Sequence, residues 1–150
     1  MKKVWVVLGN IWMLPNTILT GLYLLVFWAM GWVVFEGVGS WSLKVRVLKG
    51  SWLWEKMGDW VGWSGGCFII MRIFYDRGIK HEERHTKQQM VFGVLQPVLY
   101  VLCSVFIYFF LRNQHPYYSN PFEIDARRAA GQMVLVPKEY WDDENRWIWW

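Results

Sequence analysis

The sequence is poor in charge and in cysteine, and each shortage argues against a class of protein. Only 19% of its 150 residues are charged, and the basic side chains alternate with acidic ones rather than forming a run. The net charge of +4 therefore does not predict binding to nucleic acid, which requires a concentrated basic patch. Cys67 and Cys103 lie in apolar stretches without CxxC spacing, so neither a disulfide framework nor a cysteine-based zinc site is expected.

Charge is missing altogether from residues Val4 to Phe35. Pro15, Asn16 and Thr17 are typical of a helix start. The segment from Thr17 to Gly37 has about the 20 residues that an α-helix needs to cross the hydrocarbon of a bilayer. Because this stretch is long and rich in Trp and Phe, a membrane helix is favoured over a cleaved signal peptide.

Aromatic residues are abundant, at 19% of the chain with 13 tryptophans. Trp is enriched where a membrane meets water, and Val134 to Trp150 combines acidic residues with a Trp-rich end. We interpret residues 1–133 as one membrane-associated domain and residues 134–150 as an acidic, Trp-rich tail, with the lipid bilayer as partner. Lys and Arg flank both this N-terminal apolar stretch and a second one, Met90 to Leu111, so one crossing, two crossings and a monotopic insertion remain alternatives.

The middle of the chain predicts a small sheet. Apolar and basic residues alternate from Leu43 to Val47, which is the period of a half-exposed strand. The segment from Cys67 to Phe74 is typical of a more buried strand, and Trp52 to Trp54 is either a third strand or an interfacial turn. We predict an α+β fold, mainly helical, with an antiparallel sheet of two or three strands.

A helix is expected after this sheet. The residues Asp76 to Gly78 indicate a turn, and Ile79 is the expected start of a helix that runs into the apolar stretch Met90 to Leu111. Pro97 should kink or break this helix because proline lacks a backbone N–H. The sheet therefore lies between this helix and the N-terminal apolar helix.

The first turns of that helix carry the motif His81-Glu82-x-x-His85. Two histidines four residues apart lie on one face of a helix, where neutral imidazoles can bind one Zn²⁺ ion. Glu82 follows the first ligand, so its carboxylate can lie beside the open position of the metal and act as a general base toward water. The motif predicts His81 and His85 as zinc ligands and Glu82 as the catalytic residue.

A catalytic zinc needs a third protein ligand, and the candidates are His115, Glu123, Asp125 and the acidic residues of the tail. We choose Glu123, which is third in a short helix that begins with Asn120-Pro121 and should end at Gly131. The alternative is that Glu123 only closes a capping box with Asn120. Asp125 faces about 200° away from Glu123 on a helix, so either Asp125 is solvated or Glu123 is not the ligand.

Four further polar residues are candidates for roles around the metal. Gln88 lies on the histidine face of the helix and Gln89 lies near Glu82, where both can orient the ligands. His115 and Tyr117, just before the Glu123 helix, can stabilise an oxyanion. The alternative for Tyr117 and its neighbour Tyr118 is a tyrosine pair at a membrane interface.

Three segments, Asn10 to Thr17, His81 to Gln88 and Asn120 to Ala126, resemble those of small bacterial and phage proteins grouped by an HExxH motif. Gly93 to Tyr100 is also similar to the stretch that follows the motif in that family. The resemblance implies a minimal zincin-like domain with two His and a downstream Glu as ligands, similar to His-His-Glu metallopeptidases. Many of those peptidases have an Asp four residues after the ligand Glu, where this chain has Arg127.

Two functions follow from these observations. The first is a membrane-associated zinc metallopeptidase that cleaves a peptide or protein substrate with metal-activated water. The second is a non-catalytic integral membrane protein that keeps a degenerate metal site, an alternative motivated by the small size of the chain and by Arg127.

Overall fold

A computed structural model describes residues 2–39, 42–58, 60–111 and 113–135. The predicted tail, residues 134–150, lies outside this described part except for its first two residues. The described residues form an α+β fold, as predicted. Its elements are helices α1 (Lys2–Trp12), α2 (Leu14–Ala29), α3 (Trp52–Met57), α4 (Asp76–Phe92), α5 (Leu95–Phe110) and α6 (Pro121–Ala130), and strands β1 (Val33–Val38), β2 (Leu43–Val47), β3 (Gly62–Gly65) and β4 (Phe68–Met71).

The sheet has four strands in the order β1-β2-β4-β3. Strands β1 and β2 are antiparallel, β2 and β4 are parallel, and β4 and β3 are antiparallel. The prediction of two or three antiparallel strands is therefore wrong in strand number and in one pairing. The predicted strand at Leu43–Val47 is confirmed, whereas Trp52–Met57 is a helix because the Ser51 hydroxyl caps it by accepting a hydrogen bond from the Trp54 N–H at 3.1 Å.

The two faces of the sheet are covered by different helices. Val45 and Ile70 belong to a core that also includes Leu24 of α2 and Leu53 of α3. Because side chains alternate along a strand, the neighbouring Met71 faces the other way, toward the first turn of α4. Helix α4 is therefore fixed against the sheet on the face opposite to α2 and α3.

The predicted membrane helix from Thr17 to Gly37 is wrong in its second half. Helix α2 ends at Ala29, Gly31 turns the chain with φ of 68°, and the residues from Val33 form β1. Val33 to Val38 is β-branched and aromatic at most positions, and it pairs with β2, which satisfies its backbone groups as a strand. In the described ranges, no single helix is long and apolar enough to span a membrane. Helices α1 and α2 reach the required length and hydropathy only when they are taken as one span, and the same holds for α4 and α5. The first pair is bent by 61° and the second by 110°.

The helix that carries the HExxH motif also differs from the prediction at both ends. The expected turn at Asp76 to Gly78 is the first turn of α4, so the helix begins three residues before Ile79. The break lies at Gly93, with φ of 57°, rather than at Pro97. Pro97 is in the first turn of α5, where the missing N–H costs no hydrogen bond.

Gly93 is required where the α4–α5 bend meets the end of α1. A Cβ at this position would lie 2.5 Å from the indole nitrogen of Trp12, and the positive φ is unfavourable for any other residue.

We expect Gly93→Ala to lower the free energy of unfolding by about 2–3 kcal/mol, measured by denaturant titration. Gly58→Ala is the matched control, because Gly58 has a similar backbone conformation, with φ of 53° and ψ of −120° against 57° and −134° at Gly93, but a Cβ there would have no atom within 4 Å. The control should cost only about 1 kcal/mol, and equal losses would contradict this role of Trp12.

Candidate metal centre

The structure brings His81, His85 and Glu123 together, as the sequence predicts. The Nε2 atoms of His81 and His85 lie 3.1 Å apart. Glu123 Oε2 lies 3.2 Å from His81 Nε2, and Glu123 Oε1 lies 3.2 Å from His85 Nε2. All three side chains are at least nine-tenths buried. Helices α4 and α6 therefore present two nitrogens and a carboxylate to one point.

These distances fit the requirements of a metal ion. Tetrahedral coordination with bonds of about 2.0–2.1 Å separates the ligand atoms by about 3.3 Å. The two imidazole nitrogens lie 3.1 Å apart, and each lies 3.2 Å from a different oxygen of the Glu123 carboxylate, so these contacts are close to that value. This buried His-His-Glu group could hold a metal ion.

Helix α6 is oriented by Asn120, which is fully buried. Its side-chain oxygen accepts a hydrogen bond from the Phe122 N–H at 3.0 Å, and its amide donates to the Tyr100 carbonyl and to the Ser104 hydroxyl of α5. The Asn120 N–H donates to the Tyr117 carbonyl, and the Glu123 carboxylate points to the imidazoles. Asn120 caps the helix as predicted, but Glu123 does not complete a capping box.

A chain of hydrogen bonds supports His85 from behind. His85 Nδ1 lies 2.8 Å from Gln88 Oε1, and Gln88 Nε2 donates to Asp125 Oδ2 at 2.8 Å. Arg84 holds the Asp125 carboxylate with two hydrogen bonds of 2.7 and 2.9 Å, which lower the pKa of that carboxyl. We call these residues, His85, Gln88, Asp125 and Arg84, the Gln88–Asp125 chain. Gln88 therefore lies where the sequence predicts an orienting residue.

The sequence suggests two alternatives: either Asp125 is solvated, or Glu123 is not the ligand. The Gln88–Asp125 chain shows a third arrangement. Asp125 does face away from Glu123, and its side chain is 39% exposed. It nevertheless acts on the site, because Gln88 spans the distance from Asp125 to His85. The Asp125 carboxylate, which lies on a different face of α6 from Glu123, is thus connected to His85 through the Gln88 amide.

Two residues beside the site were not identified by sequence reasoning. Gln132 Oε1 lies 2.8 Å from His81 Nδ1, and the Tyr100 hydroxyl donates to Glu123 Oε1 at 2.9 Å. Gln132 follows the end of α6 and belongs to no motif, whereas Tyr100 of α5 ends the stretch Gly93 to Tyr100 that resembles the family, although the resemblance implies no role at the metal for it. Only the packing of three helices places these two side chains on the ligands.

Gln89 occupies a different position from the one predicted for an orienting residue. Its oxygen accepts hydrogen bonds from the Gly66 N–H at 2.7 Å and from Asn16 at 3.3 Å, and its amide donates to the Ser64 carbonyl at 3.3 Å. These contacts join α4 to the β3–β4 turn and to α2. In the described residues, Gln89 thus fixes the helix rather than a ligand imidazole.

The other two candidates, His115 and Tyr117, lie on the wall of the same cavity as the ligands. His115 Nδ1 accepts hydrogen bonds from the N–H groups of Tyr117 and Tyr118 at 3.2 and 3.3 Å, which fixes the turn before α6. Burial raises the pKa of the Tyr117 hydroxyl well above its ordinary value, so that it keeps its proton. Tyr117 is therefore a neutral hydrogen-bond donor beside the site.

The site opens into a cavity of about 750 Å³. His81, Glu82, His85 and Glu123 contribute to its wall, together with strand β3 and the turn before α6. Several large apolar side chains line the remainder: Met57, Trp60, Trp63, Pro97 and Val101. A volume of this size accommodates a segment of a substrate.

Glu82 is a buried carboxylate within this cavity wall. Burial raises its pKa, while the nearby imidazoles and a hydrogen bond with Ser64 act in the opposite direction. Within the described part of the chain, its Oε2 atom has no hydrogen-bond partner. A proton or a hydrogen-bond donor would satisfy this buried oxygen.

His85 of the His-His-Glu group carries a proton that a bound metal ion would displace. Burial alone would lower the pKa of His85, but the hydrogen bond and the charge of Glu123 raise it to about 9. Below that pH, binding of a cation releases the His85 proton, so affinity should rise with pH. We expect the association constant for Zn²⁺ to increase about tenfold per pH unit from about pH 6 to about pH 8. Competition with a chromophoric chelator, corrected for chelator protonation, measures this slope, and a flat profile would contradict the coupling.

Fold and site together define a small α+β protein with a buried His-His-Glu group that could hold a metal ion. No protein-family model, curated protein or solved structure matches the chain. The resemblance to small bacterial and phage HExxH proteins stays a prediction.

Proposed function

We propose that the protein is a membrane-associated zinc metallopeptidase. The observation that supports this proposal best is the convergence of His81, His85 and Glu123 within 3.2 Å beside the buried carboxylate of Glu82. Two imidazoles and one carboxylate are a ligand set typical of catalytic zinc, which keeps a further position for water or substrate. The cavity gives a substrate access to that position.

The residues of the site divide the hydrolysis between them. A zinc ion would supply Lewis acidity to the attacking water and to the scissile carbonyl. Glu82 accepts a proton from water as the new C–O bond forms, and returns it to the amine as the C–N bond breaks. Tyr117 donates a hydrogen bond to the oxyanion from the cavity wall. One peptide bond and one water thus give a carboxylate and an amine.

The Gln88–Asp125 chain favours catalysis over the non-catalytic alternative. That alternative depends partly on Arg127, which replaces the Asp expected four residues after Glu123. Asp125 supplies a carboxylate to the neighbourhood of His85 from another position. A ligand supported in this way is typical of functional metal sites.

Membrane association is supported by the exposed surfaces of the apolar helices. Helices α1, α2 and α5 present large hydrophobic side chains to the outside along most of their length. The chain has no charged residue from Val4 to Phe35 or from Gln88 to Leu111, which include these surfaces. Water solvates such extensive apolar surfaces poorly, whereas a bilayer covers them.

The proposal is tested by zinc content and by cleavage of a casein-like substrate. Elemental analysis of detergent-purified protein should give about one zinc per chain for the wild type and near none for His85→Ala. His115→Ala is the matched control, since it removes the remaining histidine, whose ring is not part of the ligand group. Equal, negligible zinc in the wild type and in His85→Ala would refute the proposal. Zinc without any cleavage would favour the non-catalytic alternative.

A further inference from the structure

Helix α5 has one face in the cavity and a neighbouring face outside. Four of its residues at helical spacing line the cavity: Pro97, Tyr100, Val101 and Ser104. The next face is entirely apolar and is between 45% and 63% exposed: Val98, Leu102, Val105 and Phe109. A single helix therefore separates the cavity from an exposed apolar surface.

The N-terminal helices meet the bend between α4 and α5. Gly9 of α1 packs on Met90, and Trp12 packs on Gly93, so the end of α1 lies at the bend between α4 and α5. Asn16 of α2 donates to the Gly93 carbonyl at 3.1 Å. The two bent helix pairs thus meet at their bends, and α1, α2 and α5 each carry exposed apolar side chains.

The chemistry of this surface identifies its occupant as the hydrocarbon of a bilayer. No charged side chain interrupts it, so it offers a protein partner no ion pair with which to fix an orientation. Trp5, Trp12 and Trp28, which are more than half exposed, lie toward the ends of α1 and α2. Trp at helix ends beside an apolar surface is typical of a membrane interface.

The cavity wall favours apolar substrate side chains, just as the exposed surface of α5 favours lipid. Trp60 and Met57 on one side, and Val101 and Pro97 of α5 on the other, replace water with apolar contacts. The wall also carries neutral polar side chains such as Ser64, Gln96 and Ser104, but among the described residues no Lys, Arg or Asp lines it. An apolar side chain next to the scissile bond gains from these contacts, whereas a charged one would lose its hydration.

We infer that the substrate is an apolar peptide segment that enters the cavity from the bilayer past helix α5. This inference rests on the proposed peptidase function and names its substrate class. A membrane-inserted segment need not cross water to reach the ligands, because α5 is common to the lipid-facing surface and to the cavity wall. The membrane thus concentrates the substrate at the site.

The first experiment compares two peptides that share one cleavable sequence, the first with apolar flanks in phosphatidylcholine vesicles and the second with Ser- and Lys-rich flanks in solution. We expect zinc-loaded protein to cleave the embedded peptide at least about tenfold faster. Leu102→Glu should reduce this preference by about tenfold, because it places a charge on the lipid-facing surface of α5. Val38→Glu is the control, since Val38 is 80% exposed on β1, at the sheet edge opposite β3. Equal rates for the two peptides, or equal effects of the two variants, would overturn the inference.

The second experiment measures binding without turnover. Zinc-loaded Glu82→Gln protein in phosphatidylcholine vesicles should bind the fluorescently labelled embedded peptide, detected by energy transfer. Val101→Trp, which fills the cavity side of α5, should weaken this binding by about tenfold while the protein stays on the vesicles. Absence of binding would overturn the inference even if soluble peptides are cleaved. Binding by a wild type that cleaves neither peptide would overturn the peptidase function and leave the apolar ligand class supported.

Discussion

Glu82→Gln is expected to reduce kcat/KM for peptide hydrolysis by about 10²- to 10⁴-fold while zinc content stays at one per chain. Gln has the shape of Glu but cannot accept the proton of the attacking water. Glu82 is not one of the three ligand residues, so its replacement should leave the metal in place. Steady-state kinetics and elemental analysis on the same preparation measure both quantities.

Glu83→Gln is the matched control for this prediction. Glu83 is the next residue of α4 and is half-buried, but it does not line the cavity. Its replacement should change kcat/KM by less than about threefold. Activity of Glu82→Gln within tenfold of the wild type would show that another group accepts the proton. Parallel loss of zinc and activity would show that Glu82 acts by holding the site together.

The members of the His-His-Glu group could be predicted from sequence because their signals are local. His81 and His85 share a helix face through their spacing alone, and Asn120-Pro121 marks the start of the helix that carries Glu123. The sequence does not show that α4 and α6 pack against each other. That packing depends on side chains such as Asn120, whose partners lie in a third helix.

The sheet was harder to predict because its pairings are not local. Strand β3 consists of Gly62 to Gly65, which has neither an apolar run nor an alternation. The parallel pairing of β2 with β4 joins segments separated by α3 and β3, and no turn motif specifies it. The period of two in Leu43–Val47 indicates a strand but carries no information about its neighbour.

Asn16, Thr17 and Gln89 show a similar limit. In the sequence, Asn16 and Thr17 indicate only the start of a helix, and the position of Gln89 predicts that it lies near the ligands. In the fold, Thr17 accepts a hydrogen bond from the Cys67 N–H at 3.1 Å, and Asn16 and Gln89 join at 3.3 Å. These polar side chains satisfy backbone groups at the junction of α2, α4 and the β3–β4 turn. Their roles depend on tertiary contacts that no periodicity shows.

The Gln88–Asp125 chain leads to a second large expected effect, on zinc affinity. Asp125 and the Phe122 carbonyl can only accept hydrogen bonds, and both receive them from Gln88 Nε2, at 2.8 and 3.0 Å. Gln88 must therefore turn its oxygen to His85 Nδ1, which then carries the proton. The Nε2 lone pair of His85 is left to point at the metal position. The orientation of the Gln88 amide thus determines the tautomer of His85, which it contacts directly.

Gln88→Leu should accordingly weaken zinc binding by about 10- to 100-fold, measured by chelator competition. Lys87→Leu is the matched control, since Lys87 is exposed on the same helix, and its affinity should stay within about twofold of the wild type. Asp125→Ala should have a smaller effect, because the Phe122 carbonyl still orients Gln88.

The double variant Gln88→Leu/Asp125→Ala tests the order of the chain. If Asp125 acts on His85 only through Gln88, removal of Asp125 should cost nothing further once Gln88 is replaced. The affinity of the double variant would then equal that of Gln88→Leu. Additive losses would instead mean that the Asp125 carboxylate influences His85 directly through its charge. Measuring zinc affinity in high salt would then isolate this contribution. Salt screens the charge of a half-exposed carboxylate, but it does not weaken a buried hydrogen bond.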